Sequence, residues 1–109
     1  MIVEMRTYRL KPAATATFFK LYESEGMPIQ LPILGMMVGY YATELGPLNQ
    51  VVHMWGYKDL ADRTKRRTKL AADKRWQAFA PKVQALIEEM ENKILIPAPF
   101  FTPGEIKRA

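Results

Sequence analysis

The chain contains no cysteine, which excludes disulfides, thiolate nucleophiles and thiolate metal sites. It has one histidine, His53, so no multi-histidine metal centre can form within a single chain. No apolar run approaches the roughly 20 residues that a helix needs to cross a bilayer. The opening Met1-Ile2-Val3-Glu4 lacks the layout of a signal peptide. The expectation is a cytoplasmic protein with no membrane insertion, no metal site and no bound cofactor. Internal repeats, linkers and low-complexity segments are also missing.

What is present suits one folded domain. Of 109 residues, 49% are hydrophobic and 25% charged, enough for a core and an ordinary solvated surface. The formal net charge of +5 could serve an acidic ligand or nucleic acid, but such a surplus is also common on simple soluble surfaces.

Ile2–Arg9 alternates Val3, Met5 and Thr7 with Glu4, Arg6 and Tyr8, and reads as a first strand. Pro12 can stand at the first helical position, where its missing N–H has no partner to lose. Ala14, Phe18, Leu21 and Tyr22 then recur at helical spacing over about three turns. Gly26, Pro28 and Pro32 are expected to end that helix and leave Met27–Leu31 as a separate turn. Leu34–Glu44 is a second strand that sets Met36, Val38 and Tyr40 against Met37, Gly39 and Tyr41, with both faces bulky. Gly46-Pro47-Leu48-Asn49 closes a hairpin onto a third strand, Gln50–Tyr57.

That third strand puts Val51, His53, Trp55 and Tyr57 on one face. Asp59 is placed to cap a helix from about Lys58 to Leu70, on which Leu60, Arg63, Arg67 and Leu70 share a quadrant and Lys65, Arg66 and Lys69 point to solvent. Asp73 can cap another helix, apolar from Trp76 to Met90 and kinked or restarted at Pro81. Lys93–Pro97 reads as a short last strand, closing a single domain over residues 1–101, and 102–109 as a polar tail that frays.

The order β-α-β-β-α-β makes an α+β, ferredoxin-like fold: a four-stranded antiparallel sheet with helices on one face and strands one and three as central neighbours. Glu4, Arg6 and Tyr8 then lie beside His53, Trp55 and Tyr57. RNA-binding domains share the order, but their third strand carries a basic-glycine-aromatic signature that Gln50–Tyr57 lacks, so nucleic acid is not expected.

Several stretches resemble the NIPSNAP family: Glu4-x-Arg6-x-Tyr8, Gly35-x-x-Val38-Gly39, the block from Thr43-Glu44 through Asn49-Gln50-Val51-Val52-His53-x-Trp55-x-Tyr57 to Arg63, then Trp76 and Ile94-Leu95-x-Pro97. The resemblance covers nearly the whole chain. It implies a dimeric α/β barrel, in which two ferredoxin-like sheets pack face to face. It supplies no catalytic residues to carry over.

The candidate site is therefore read from the residues. His53 could act as a general base or donate to a bound oxyanion, or be a core histidine bonded to a backbone carbonyl or to Glu4. Arg6, Tyr8, Tyr41, Trp55, Arg63 and Arg67 are the candidate ligand-binding residues, the arginines being suited to carboxylate or phosphate. Each also has a plain structural role available, as packing or as an ion pair. Two functions follow. One is an enzyme or binding protein for a small molecule, with its pocket between sheet and helices. The other is a non-catalytic dimerisation or interaction module. A homodimer through sheet-to-sheet packing is expected in either case, because helices can cover only one face of a sheet whose second strand is apolar on both.

Overall fold

A computed structural model describes all residues, Met1–Ala109. Four strands, β1 (Ile2–Leu10), β2 (Met36–Ala42), β3 (Gln50–Tyr57) and β4 (Ile87–Leu95), form one antiparallel sheet in the order β2-β3-β1-β4. This is the ferredoxin-like arrangement expected from the sequence. β1 and β3 are the central pair, with Glu4 opposite Trp55 and Arg6 opposite His53. The helices α1 (Thr15–Leu21), α2 (Met27–Leu34), α3 (Leu60–Ala72) and α4 (Lys74–Gln84) all serve one face of the sheet. No helix is long and apolar enough to cross a membrane.

The core lies between that face and the helices. One cluster gathers Tyr8, Phe18, Tyr22, Val51, Phe79 and Val83; a second gathers Ile33, Leu34, Trp55, Tyr57 and Leu70. Burying each large side chain of this kind contributes about 1.5–3 kcal/mol, so these contacts dominate the attachment of helices to sheet.

Four local expectations need correction. Pro12 is not helical: Ala13 sits at φ +61°, and the helix starts only at Thr15. The first helix does not end at Gly26. It continues through one wide, π-type turn, Tyr22–Gly26, into α2 as far as Leu34. In that turn the Met27 N–H reaches back to the Tyr22 carbonyl, five residues away, and Pro28, near the start of α2, has no N–H to satisfy. Helix α4 passes through Pro81 but stops at Gln84, and β4 starts at Ile87, six residues earlier than the sequence pattern suggests. Pairing with β1 decides that stretch, and the charged residues along β4 suit an edge strand. Finally, the tail does not fray throughout: Pro103 is buried, and Gly104 packs against the methyl end of Met36.

The most consequential departure is in β2. Met37 pairs with Trp55 and Gly39 with Met54, leaving Val38 as an extra residue in a β-bulge. The bulge resets the alternation. Met37 and Tyr40 both pack against the helix-side core, while Val38 and Tyr41 border the opposite face.

Candidate functional site

The helix-covered face of the central strands holds a buried carboxylate surrounded by cations. Glu4 is 0% exposed. Its Oε2 accepts from Arg63 Nη2, from Asn92 Nδ2 at 2.9 Å and from Arg6 Nη1 at 3.2 Å. Its Oε1 faces Arg67 Nη2 at 3.1 Å as an ion pair without hydrogen-bond alignment, so neither atom has a hydrogen-bond partner. Burial alone would raise the carboxyl pKa. The Arg63 hydrogen bond, the Arg67 charge, the Asn92 amide and Arg6 overcome that penalty and hold it at about 2. Three half-buried guanidiniums against one buried carboxylate leave the cluster with a net charge of two positive units.

These arginines arrive by ordinary helical geometry. Asp59 caps α3 by accepting from the Asp62 N–H at 2.7 Å, which fixes the helix start and thereby its rotation. Arg63 and Arg67, four residues apart, then turn toward the sheet, while Lys65 and Lys69 are exposed, as the angular grouping predicts. Leu60, expected in the same stripe, is instead 57% exposed at the helix start. Arg66, expected in solvent, ties α3 to α2 by donating to the Ile33 carbonyl at 3.1 Å.

Beside this cluster lies His53, 2% exposed. Trp55 Nε1–H donates to its Nδ1 at 2.8 Å. An indole nitrogen can only donate, so Nδ1 is the bare nitrogen and the proton of the neutral ring sits on Nε2. Nε2 is buried and has no hydrogen-bond partner. Burial pushes the His53 pKa down, Arg6 and Arg67 push it further, and Glu4 only partly offsets them, leaving it at about 3. The ring is therefore a fixed neutral donor at physiological pH. Its hydrogen-bond partner is not a backbone carbonyl or Glu4 but Trp55, two residues along the same face.

His53 lines a cavity of about 140 Å³. Tyr40 stacks on the imidazole at 4.7 Å, Tyr22 stacks on Tyr40 at 4.8 Å, and Tyr8 meets His53 edge-on at 4.8 Å. Trp76, Phe79 and Val83 of α4 form the roof. Arg6 and Arg67 border the same space; Arg6 Nε donates to the Tyr8 hydroxyl oxygen at 2.8 Å, and Arg67 Nε to that of Tyr57 at 3.2 Å.

Of the residues singled out in the sequence, Arg6, Tyr8, His53 and Arg67 share this cavity wall. Trp55 and Arg63 stand behind it, holding His53 and Glu4. Tyr41 lies on the other face of the sheet, 57% exposed, and does not join them. Tyr40, Tyr22, Gln30 and Asn92 were missed. Tyr40 could have been found from Gly39, since a glycine inside a strand often marks a bulge. Gln30 was the lone amide in the apolar stretch Met27–Leu34 and is buried, accepting from the Tyr22 hydroxyl at 2.6 Å. Asn92 lay in residues not read as strand.

The chain matches the NIPSNAP family model over residues 3–102. A NipSnap homolog of Dictyostelium discoideum is 34% identical over 97 residues, covering 86% of this chain and 41% of that protein. The chain thus spans about two fifths of the length of such curated relatives. A NIPSNAP family protein from Agrobacterium tumefaciens, solved by crystallography, is 54% identical with a TM-score of 0.89, covering 91% of this chain and 94% of that one. An antibiotic biosynthesis monooxygenase, at 15% identity and TM-score 0.63, covers 91% of this chain and 100% of that one and shares the fold alone. Family model, relatives and fold agree: this chain belongs to the NIPSNAP family.

Proposed function

We propose that this chain binds a small organic anion in the cavity between sheet and helices. One observation carries the reading: the buried Nε2–H of His53 has no protein partner and borders a cavity flanked by Arg6 and Arg67. A buried donor left unpaired costs about 1–3 kcal/mol, and the half-buried arginines add positive charge in excess of the Glu4 carboxylate; an anion would relieve both. Because Nδ1 is occupied and Nε2 holds the proton, His53 acts by donating a hydrogen bond rather than by abstracting a proton. Titration calorimetry with benzoate and with benzyl alcohol tests the reading. Benzoate should bind and the alcohol should not, and His53→Leu should abolish the benzoate signal. Equal binding of both ligands, or of neither, defeats it.

A second observation supports the interaction reading and is compatible with the first. The uncovered face of the sheet presents Val38, Tyr41, Met54 and Leu95 around a broad apolar trough, only partly bordered by Phe101, Pro103 and Ile106 of the tail. We propose that a second copy of the chain covers this face, sheet against sheet, giving a homodimer. Light scattering at micromolar concentration should report twice the protomer mass, and a monomer would refute it.

A further inference from the structure

The proposed anion site can be taken further, to the chemical class of its ligand. Resting on that reading, we propose that the cavity takes the deprotonated form of a planar weak acid built on one ring, a phenol or enol, and makes that acid more acidic on binding.

Size and shape set the ring. A cavity of about 140 Å³ is close to the roughly 150 Å³ that accommodates benzene in an engineered protein core. Its lining is largely aromatic: Tyr22, Tyr40 and His53 form a stacked series, with interplanar angles of 27° and 17° between successive rings, and Tyr8, Phe18, Trp76 and Phe79 add further rings. Ring edges and faces of this kind make their best contacts, edge-to-face or offset, with another ring.

The hydrogen-bonding inventory sets the charge state. His53 offers only Nε2–H. Arginines offer donors and no acceptor. The Tyr8 oxygen already accepts from Arg6 Nε, which leaves its own O–H to donate. Gln30 Oε1 already accepts from Tyr22, leaving its amide N–H groups. Gln84 is exposed at the edge of the cavity. The acceptors that remain inside are free lone pairs on Gln30 Oε1 and on the tyrosine oxygens, and the Tyr22 hydroxyl, whose proton goes to Gln30, can only accept. A neutral O–H could donate to these, but an oxyanion gains both the unpaired Nε2–H of His53 and the positive charge of Arg6 and Arg67, which stabilise negative charge from fixed positions.

The surrounding charges act in the same direction. β1 contributes Glu4, Arg6 and Tyr8; β2 contributes Tyr40; β3 contributes His53 and, behind it, Tyr57. The wide helical turn supplies Tyr22, and α3 supplies Arg63 and Arg67, while α4 and β4 place no ionisable side chain on the wall. Glu4 is the one carboxylate among these groups, and its partners are three arginines and Asn92. Tyr22 and Tyr40 do not supply the anion instead, since burial raises the pKa of both.

4-Nitrophenol provides the test, because its neutral and anionic forms absorb at different wavelengths. A pH titration of the absorbance at saturating protein should give a bound pKa at least one unit below the free value, a tenfold preference for the anion, or about 1.4 kcal/mol. Arg67→Met should shrink that shift and His53→Leu should remove it. His53→Gln should retain most of it, since the amide can accept from Trp55 and donate into the cavity. Lys65→Met, on the exposed side of α3, should change nothing. Should His53→Leu not fold, the Arg67→Met comparison decides alone. If benzoate binds but the nitrophenol pKa is unchanged or raised, or nitrophenol does not bind, this inference fails while the anion site stands. If no anion binds, both fail.

Discussion

The two faces of the sheet are built from alternate residues of the same strands, yet they have opposite chemistry. Glu4, Arg6 and Tyr8 of β1 and His53 and Trp55 of β3 face the helices and carry the buried polar and aromatic groups. Val3, Met5 and Thr7, with Val52 and Met54, occupy the other side, where Val3 and Met54 border the apolar trough. The covered side, which ought to be the oily one, holds an ion cluster; the uncovered side is mostly apolar. A buried charge survives only where enough partners reach it, and only the helix side offers Arg63, Arg67 and Asn92 to Glu4. An apolar face persists only where something covers it, and here the cover would come from outside the protomer.

The contrast can be broken most severely at Glu4. Glu4→Gln leaves three guanidiniums around a neutral amide and should destabilise the fold by about 3–5 kcal/mol, read from the urea midpoint. A loss below 1 kcal/mol would mean that water reaches the arginines.

Acid should attack the same face. The pKa of His53 is lowered in the folded state to about 3, so unfolded chains bind a proton below their ordinary value near 6.5 while folded chains do not. Stability is thus complete above pH 6.5 and falls as pH drops toward 3, by up to about 1.4 kcal/mol per pH unit. Glu4, also depressed, adds a further loss between its ordinary value near 4.5 and about 2. His53→Gln should flatten the profile between pH 6.5 and 4.5 in a series of denaturant melts and make it shallower between 4.5 and 3, where only the Glu4 loss remains.

The cavity roof offers a milder perturbation. A Cβ on Gly26 would lie 2.6 Å from the Phe79 ring, so Gly26→Ala should push that ring into the cavity, cost about 1–3 kcal/mol and weaken ligand binding. Tyr22→Phe removes the hydrogen bond to Gln30 and should cost about 1–2 kcal/mol, measured by thermal melting. The smallest effect on the protomer is expected from the uncovered face. Met54→Lys should leave the circular dichroism spectrum unchanged and change only the mass seen by light scattering, from dimer to monomer.

The sequence alone determined strand alternation, the topology and the side of α3 that meets the sheet, because each follows from a fixed local period and a capping residue. Val51, His53, Trp55 and Tyr57 had to share a face once Gln50–Tyr57 was a strand, and Asp59 set the start and so the rotation of α3. Arg6, Tyr8, His53 and Arg67 were legible as site residues for that reason. What the tertiary structure decided lay wherever local preference was broken. The bulge at Val38 exchanged Tyr41 for Tyr40 at the site, the wide turn carried Gln30 into the core despite three helix-breaking residues, and pairing with β1 drew Asn92 into a strand. The role of His53 was settled in the same way. A histidine's tautomer is set by whichever neighbour reaches its other nitrogen, and only the side-chain conformations brought by packing put the Trp55 indole there.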